Sequence, residues 1–154
     1  MFIADLHIHS RFSRATSPTC EPVRLDYWAR RKGLQLIASG DFTHEAYREE
    51  LRDKLQPEGN GFYLLREEQR IADAGLAGEE SPPRFIISGE ISSIYKHNGR
   101  VRKIHNVILL PSIEAAAAVS QKLVALGCNL RADGRPIIGL PARDLLELTL
   151  DACA

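Results

Sequence analysis

The alternation of apolar and polar stretches along the first half of the chain predicts strands that take turns with helices. Apolar runs of strand length, each followed by turn-forming or polar residues, cover residues 1–6, 34–38 and 84–94. Segments with the spacing of amphipathic helices cover residues 22–33 and 44–55, the first opened by Pro22 and closed by Gly33. Residues 56–83, which hold several Gly and Pro, are weakly patterned.

The second half of the chain contains a strong hairpin signal. Asn98-Gly99 can supply the positive φ angles of a tight two-residue turn, which makes residues 101–110 the return strand. Ser112 is placed to cap an alanine-rich helix that ends near Gly127. A short strand at Ile137-Ile138 and a last helix from about Ala142 follow. We therefore expect an α/β fold, mostly parallel, with a β-hairpin excursion.

Composition places the chain among ordinary globular domains. It has 154 residues, of which 44% are hydrophobic and 26% charged, so it fits one domain. No apolar run approaches the roughly 20 residues of a membrane span, and no secretory signal is visible. The three cysteines are widely spaced and match no metal motif. They are interpreted as reduced thiols, which predicts a cytoplasmic protein without a membrane partner.

Charge is unevenly distributed although the net charge is zero. Zero net charge excludes a uniformly basic nucleic-acid-binding domain but not local patches. Residues 11–32 and residues 96–103 each carry a net charge of +4, whereas residues 41–80 carry −6. Two interpretations stay open for the basic segments: solvated surface faces, or a rim for a substrate that bears phosphate.

Four of the five histidines follow or open predicted strands, close to a carboxylate. His7 and His9 come directly after the first strand, and residues two apart in an extended segment point to the same side. The other clusters are Asp41 with His44, Glu90, and His105. The carboxyl ends of parallel strands meet at one edge of a sheet, so these side chains are expected to converge on a metal. The alternative is a set of loop histidines, and His97 is interpreted as an exposed turn residue.

The order of these motifs resembles the polymerase and histidinol phosphatase (PHP) superfamily. The matching motifs are Asp5-Leu6-His7-Ile8-His9-Ser10, Gly40-Asp41 with His44, Gly89-Glu90-Ile91-Ser92 and Ile104-His105. Longer strings are similar to the branch that contains endonuclease Q, described as enzymes that nick DNA on the 5′ side of deaminated bases and abasic sites. They include residues 39–44, 88–95, 101–106, 133–140 and 142–147. Two departures are Arg14-Ala15, where many relatives have an Asp or His, and the two residues between Asp41 and His44.

The resemblance implies a role for each candidate residue and two or three divalent ions (Zn, Mn or Mg). His7, His9 and Glu90 would hold one ion, with Glu90 bridging to a second that His105 also binds. His44 would serve a third position. Asp41 would be a ligand or an orienting carboxylate, and it is the best candidate for a catalytic residue that positions the attacking water. Arg11, Arg14 and Lys103 flank the motifs and are candidates for phosphate contacts, with ordinary surface cations as the alternative.

The resemblance implies a partial distorted (β/α)7-type barrel and hydrolysis of phosphoester bonds, with DNA as the partner of the full-length parent. Alternatives are a small-molecule phosphatase or pyrophosphatase, and a catalytically incomplete fragment. The superfamily completes its site with further His and an Asp-x-His motif, whereas this chain has no histidine after His105. A closed barrel also needs about 200 residues or more. Residues 1–154 are therefore expected to be the N-terminal portion of such a domain. Alone, this portion is expected to bind metal weakly and to nick DNA little or not at all, and the missing strands leave an edge open to self-association.

Overall fold

The structure is a computed structural model that describes residues 2–73, 75 and 81–153. Strands and helices are mixed along the described residues, which confirms the predicted α/β class. The strands are β1 (Ala4–Asp5), β2 (Leu36–Ala38), β3 (Leu55–Gly59), β4 (Phe62–Leu65), β5 (Arg84–His97), β6 (Arg100–Leu110) and β7 (Ile137–Ile138). The helices are α1 (Pro22–Lys32), α2 (Glu45–Lys54), α3 (Ile113–Ala125) and α4 (Ala142–Cys153), with one 3-10 turn at Glu67–Gln69.

Strand β5 organises the sheet. Strands β1, β2 and β5 pair in parallel, and β4 and β3 continue the order beyond β5. The C-terminal half of β5 pairs with β6 in antiparallel fashion and with β7 in parallel. Within the described residues the seven strands form an open sheet. The expected barrel character therefore stays a prediction.

The predicted β-hairpin excursion is confirmed. Asn98 and Gly99 have φ angles of 50° and 73°, and they join β5 to β6 with His97 opposite Arg100. His97 and the neighbouring cations Lys96 and Arg100 are exposed, as expected of residues next to the turn. His105 lies on the return strand, opposite Ser92.

A second hairpin, β3–β4, lies inside the stretch that the sequence left without an assigned element. Asn60 and Gly61 have φ angles of 53° and 81°, the same turn chemistry as at the first hairpin. Strand β4 buries Tyr63 and Leu65 and pairs with β5, whereas β3 is exposed after Leu55. Residues 74 and 76–80 of the same stretch lie outside the described part of the chain.

The hydrophobic core packs helices against β5. Phe85, Ile87 and Ile91 of this strand are fully buried, together with Tyr47 and Leu51 of helix α2. Helix α3 begins where expected, since the Ser112 hydroxyl accepts a hydrogen bond from the backbone N–H of Ala115. The core thereby fixes the strand on which the candidate site is built.

The helices that the structure describes are not suited to span a membrane. The longest of them has 13 residues, and none combines the length and apolar character that a bilayer span requires.

Candidate metal centre

Four segments bring polar side chains to one end of the parallel strands. His7 and His9 lie just beyond β1, and Asp41 lies three residues beyond β2. Backbone hydrogen bonds from Ser39 to Ile86 and from Phe42 to Ser88 hold the loop after β2 against β5. Glu90 follows on β5 in the same direction, and His105 comes from β6.

Glu90 is the point on which three histidines converge. Its Oε2 lies 2.9 Å from His7 Nε2 and 3.2 Å from His9 Nε2, and its Oε1 contacts His105 Nδ1. Ligand atoms of His7, His9 and Glu90 all lie within 4.8 Å of one another. The structure thus brings His7, His9, Glu90 and His105 together, while their role as metal ligands stays a prediction.

The chemistry of this cluster fits a divalent cation. Two imidazole nitrogens and one carboxylate are a common ligand set for catalytic zinc. Glu90 is buried, and among the described residues its Oε1 has no well-formed hydrogen-bond partner. Burial alone would raise the pKa of Glu90, but the hydrogen bond from His7 and the charges of His105, Arg135 and His9 lower it. The carboxyl group is therefore held ionised, which is the state that binds a cation.

Asp41 contacts the His9 ring on the nitrogen that faces away from Glu90. Its Oδ1 lies 3.1 Å from His9 Nδ1, and its Oδ2 accepts hydrogen bonds from the Ser10 backbone N–H, the Ser10 hydroxyl and the Ser13 hydroxyl. The hydrogen bond to Asp41 raises the pKa of His9 in spite of partial burial. Since Nδ1 is held by Asp41, Nε2 is the ring nitrogen that faces Glu90. This geometry favours the orienting role of Asp41 over that of a ligand or a catalytic group, because Asp41 is fully buried with both oxygens engaged.

Close backbone packing sets the position of Asp41. Its φ angle is 46°, a left-handed conformation that Asp tolerates better than most residues. Gly134 lies against the carboxylate so closely that a Cβ there would be 2.4 Å from Asp41 Oδ2 and 2.8 Å from Ser13 Oγ. The Thr43 hydroxyl donates to the Gly134 carbonyl and so ties the two loops together. Sequence reasoning assigned no role to Ser10, Ser13 or Gly134, although all of them but Ser13 lie in the strings that carry the resemblance.

His44 is not a member of the cluster. Its ring stacks on Phe12 at a centroid distance of 4.1 Å, and its Nδ1 is buried without a hydrogen-bond partner in the described part of the chain. Burial lowers its pKa, so the ring is held neutral. The predicted third metal position therefore gains no support from this arrangement.

The three candidate phosphate contacts differ in solvent exposure and in whether a carboxylate already pairs with them. Arg11 is paired with Glu21 at 3.2 Å and Glu50 at 2.8 Å, so its guanidinium links the start of α1 to α2. Arg14 is 81% exposed, and its Nε lies 3.5 Å from Asp133. Lys103 is exposed and, within the residues that the structure describes, forms no ion pair.

Arg135 is a cation at the centre that sequence reasoning missed. Its guanidinium lies 3.9 Å from Glu90 Oε2, and the backbone carbonyl of the next residue, Pro136, accepts a hydrogen bond from Ser92 on β5. The only signal in the sequence is its place in the string 133–140, since no spacing rule links residue 135 to residue 90.

Replacing Asp41 with Asn should weaken the binding of Zn²⁺ about 10- to 100-fold. The amide oxygen would be drawn to the Ser10 N–H, so the amide NH₂ would face His9 Nδ1. That contact forces the His9 proton onto Nε2, the nitrogen that points to Glu90. Isothermal titration calorimetry measures the affinity, and ¹⁵N NMR of the His9 ring reports the tautomer. Asp144→Asn on the exposed side of α4 is the matched control, and unchanged affinity in the Asp41 variant would contradict the orienting role.

Comparisons with known proteins support the fold. No family model matches the chain. An uncharacterized protein of Methanocaldococcus jannaschii is 29% identical over 147 residues, which are 96% of this chain and 14% of that protein. The lesion-specific endonuclease Q of Pyrococcus furiosus has a crystal structure that matches with a TM-score of 0.74, 23% identity and 97% of this chain covered. A complex of endonuclease Q with a 27-mer duplex substrate, which has an abasic lesion at the active site, matches with a TM-score of 0.75, also at 23% identity and 97% coverage. The chain spans about a third of those two structures, and it shares their fold.

Proposed function

We propose that this chain is the N-terminal portion of a metal-dependent phosphoesterase of the PHP superfamily. In the whole protein it would nick DNA on the 5′ side of deaminated bases or abasic sites. The observation that carries the proposal is the convergence of His7, His9 and His105 on the buried carboxylate of Glu90. The fold supports it, because endonuclease Q, whose structure has been solved with a lesion-bearing duplex, covers 97% of the chain.

Each residue of the cluster would have a separate role in binding metal or in orienting a ligand. His7, His9 and Glu90 would hold one divalent ion, and Glu90 and His105 would contribute to a second. When bound, such ions polarise a phosphoryl group and lower the pKa of a water molecule. Asp41 keeps the His9 ring turned toward Glu90, and Ser10 and Ser13 keep Asp41 in place.

Cations at the edge of the site would bind the phosphate groups of the substrate. Lys103 is two residues from His105 on the same face of β6, which places it about 7 Å along the strand. Arg135 is partly exposed and lies 3.9 Å from Glu90 Oε2, and Arg14 is exposed beside Asp133. Arg11 is assigned to packing rather than to substrate, because two carboxylates already hold it. Three free cysteines agree with a cytoplasmic location, which belongs to the same proposal.

Nicking of a labelled duplex tests this function. The duplex carries one deoxyuridine or one abasic site, the chain is in excess, and Mn²⁺, Mg²⁺ or Zn²⁺ is added separately. We expect slow cleavage on the 5′ side of the lesion that depends on metal and stops with EDTA. The rate should be low because His7, His9, Glu90 and His105 supply only part of two coordination shells. Multiple rapid turnovers by this chain would contradict the expected incompleteness of the site.

Two histidine variants give the matched comparison. His7→Ala should abolish both metal binding and the residual cleavage, since His7 Nε2 contacts Glu90. His97→Ala should leave metal binding unchanged, since His97 is an exposed residue at the hairpin turn. Cleavage that persists in EDTA or in the His7 variant would refute the proposal. Hydrolysis of a small phosphomonoester without nicking would favour the small-molecule phosphatase instead.

A further inference from the structure

The end of the β5–β6 hairpin is a basic ribbon that the candidate centre leaves unexplained. We call residues 94–103 the hairpin arm. No Asp or Glu lies between Glu90 and Glu114, whereas Lys96, Arg100, Arg102 and Lys103 fall in this interval. All four cations are exposed. Within the described residues none of them forms an ion pair, although ten other Lys and Arg residues do.

The other basic segment behaves differently. Arg11 pairs with Glu21 and Glu50, Arg14 with Asp133, Arg30 with Asp26 and Arg31 with Asp73. The charge of residues 11–32 is thus largely balanced by nearby carboxylates. The hairpin arm is the basic segment whose charge is left for a partner.

The arm projects from the sheet. Strand β7 pairs with β5 at Ser92 and Ser93, and β2 and β4 pair with β5 no further along than Ile86. Beyond Ser93 the strand that pairs with β5 in the described part of the chain is β6. From Ser93 to His97 the ribbon extends about 14 Å. That is about the axial length over which one strand of B-DNA carries four phosphate charges.

The arm is joined to the candidate metal centre by continuous strands. Opposite residues in a hairpin share a face, so Glu90, His105, Lys103 and Lys96 all lie on one face of the ribbon. Arg102 and Arg100, opposite Tyr95 and His97, lie on the other face. Charges on both faces suit a partner that surrounds the ribbon with anions. The major groove of B-DNA does so, since it is about 12 Å wide, admits a two-stranded ribbon and is flanked by two phosphate backbones.

We propose that the hairpin arm binds the phosphate backbones of duplex DNA next to the cleavage position, without reading the lesion. This inference rests on the proposed nuclease function and adds a surface that holds the duplex. Contacts to phosphate release counterions, so the affinity should fall steeply with salt. Contacts to phosphate alone carry no sequence or lesion information, so the arm should contribute equally to damaged and undamaged duplex.

A triple variant of the chain tests the arm: Lys96→Gln, Arg100→Gln and Arg102→Gln together. Lys103 is left unchanged because it is a candidate phosphate contact of the centre itself. Fluorescence anisotropy of a labelled duplex gives the dissociation constant over a range of salt. We expect the triple variant to bind about tenfold or more weakly at about 0.1 M salt. The slope of log K against log salt should become shallower by about 2 to 3. Both changes should be the same for a duplex with one abasic site and for an intact duplex.

The matched control removes three other cations that form no ion pair within the described residues: Arg24→Gln, Lys32→Gln and Lys122→Gln. It should keep the slope and affinity of the original chain. The proposal is overturned if the original chain does not bind duplex, if the triple variant keeps the original slope, or if the control loses as much as the triple variant. Metal titration and nicking are measured on the same samples. Arm-dependent binding by a chain whose metal affinity is unchanged by His7→Ala would refute the proposed function and leave the arm, and the reverse result would refute the arm alone.

Discussion

Zn²⁺ and Mn²⁺ binding will fall by at least about 100-fold when Glu90 is replaced with Gln. The carboxylate contacts His7, His9 and His105 together, so its loss would remove a shared candidate ligand and a negative charge at once. The fold should persist, because Gln has nearly the same shape and can accept a hydrogen bond from His7. Calorimetric titration with each ion gives the affinity, and thermal unfolding without metal checks the fold.

The matched control for this substitution is Glu114→Gln, at the exposed start of helix α3. It removes the same charge at a distance from the cluster and should leave the affinity unchanged. A Glu90 variant that binds either ion as tightly as the original chain would show that Glu90 is not a metal ligand.

Gly134→Ala should destabilise the chain and weaken metal binding through a single added methyl group. The new Cβ would meet Asp41 Oδ2 at 2.4 Å and Ser13 Oγ at 2.8 Å, distances that packing does not allow. Either the loop at residue 134 or the Asp41 carboxylate must move, and moving Asp41 releases the His9 ring. We expect the free energy of unfolding to fall by about 2 to 3 kcal/mol. The affinity for Zn²⁺ should fall about tenfold or more.

The control for this steric effect lies five residues further along the chain. A Cβ at Gly139 would have no heavy atom within 4 Å, so Gly139→Ala should be nearly neutral in both measurements. Urea unfolding and calorimetry on both variants complete the comparison. Equal stability of the two variants would mean that the loop at residue 134 does not press on Asp41.

The sequence located the four residues of the cluster, but the strand-end argument holds for only two of them. His7 and His9 lie just beyond β1, as that argument predicts, whereas Glu90 and His105 lie inside β5 and β6, and β6 runs antiparallel to β5. The hairpin at Asn98-Gly99 was found because the turn type requires positive φ angles, which these two residues adopt easily. Local rules with a clear physical cause therefore predicted the parallel strands, the β5–β6 hairpin and part of the cluster.

Contacts between distant loops could not be predicted in the same way. Gly134 packs on Asp41, and the Thr43 hydroxyl bonds to the Gly134 carbonyl across 91 residues of sequence. No periodicity encodes such a contact, so Ser13, Gly134 and Arg135 were missed. The β3–β4 hairpin was missed for another reason. Its turn, Asn60-Gly61, carries the same signal as Asn98-Gly99, but the polar and exposed residues of β3 do not alternate as a half-buried strand does.

Strand β5 passes from the interior of the molecule into solvent without a break, and this affects how the chain fluctuates. Phe85, Ile87 and Ile91 anchor its first half in the core, whereas Lys96 and His97 at its end are exposed. Local unfolding is easiest where few apolar groups are buried and backbone hydrogen bonds face water. The end of the ribbon can therefore fray and re-form while the part of the strand that carries Glu90 stays closed. We therefore expect one continuous strand to contain the boundary between two cooperative units, and slow amide hydrogen exchange in the anchored half should end within a few residues of Ser93.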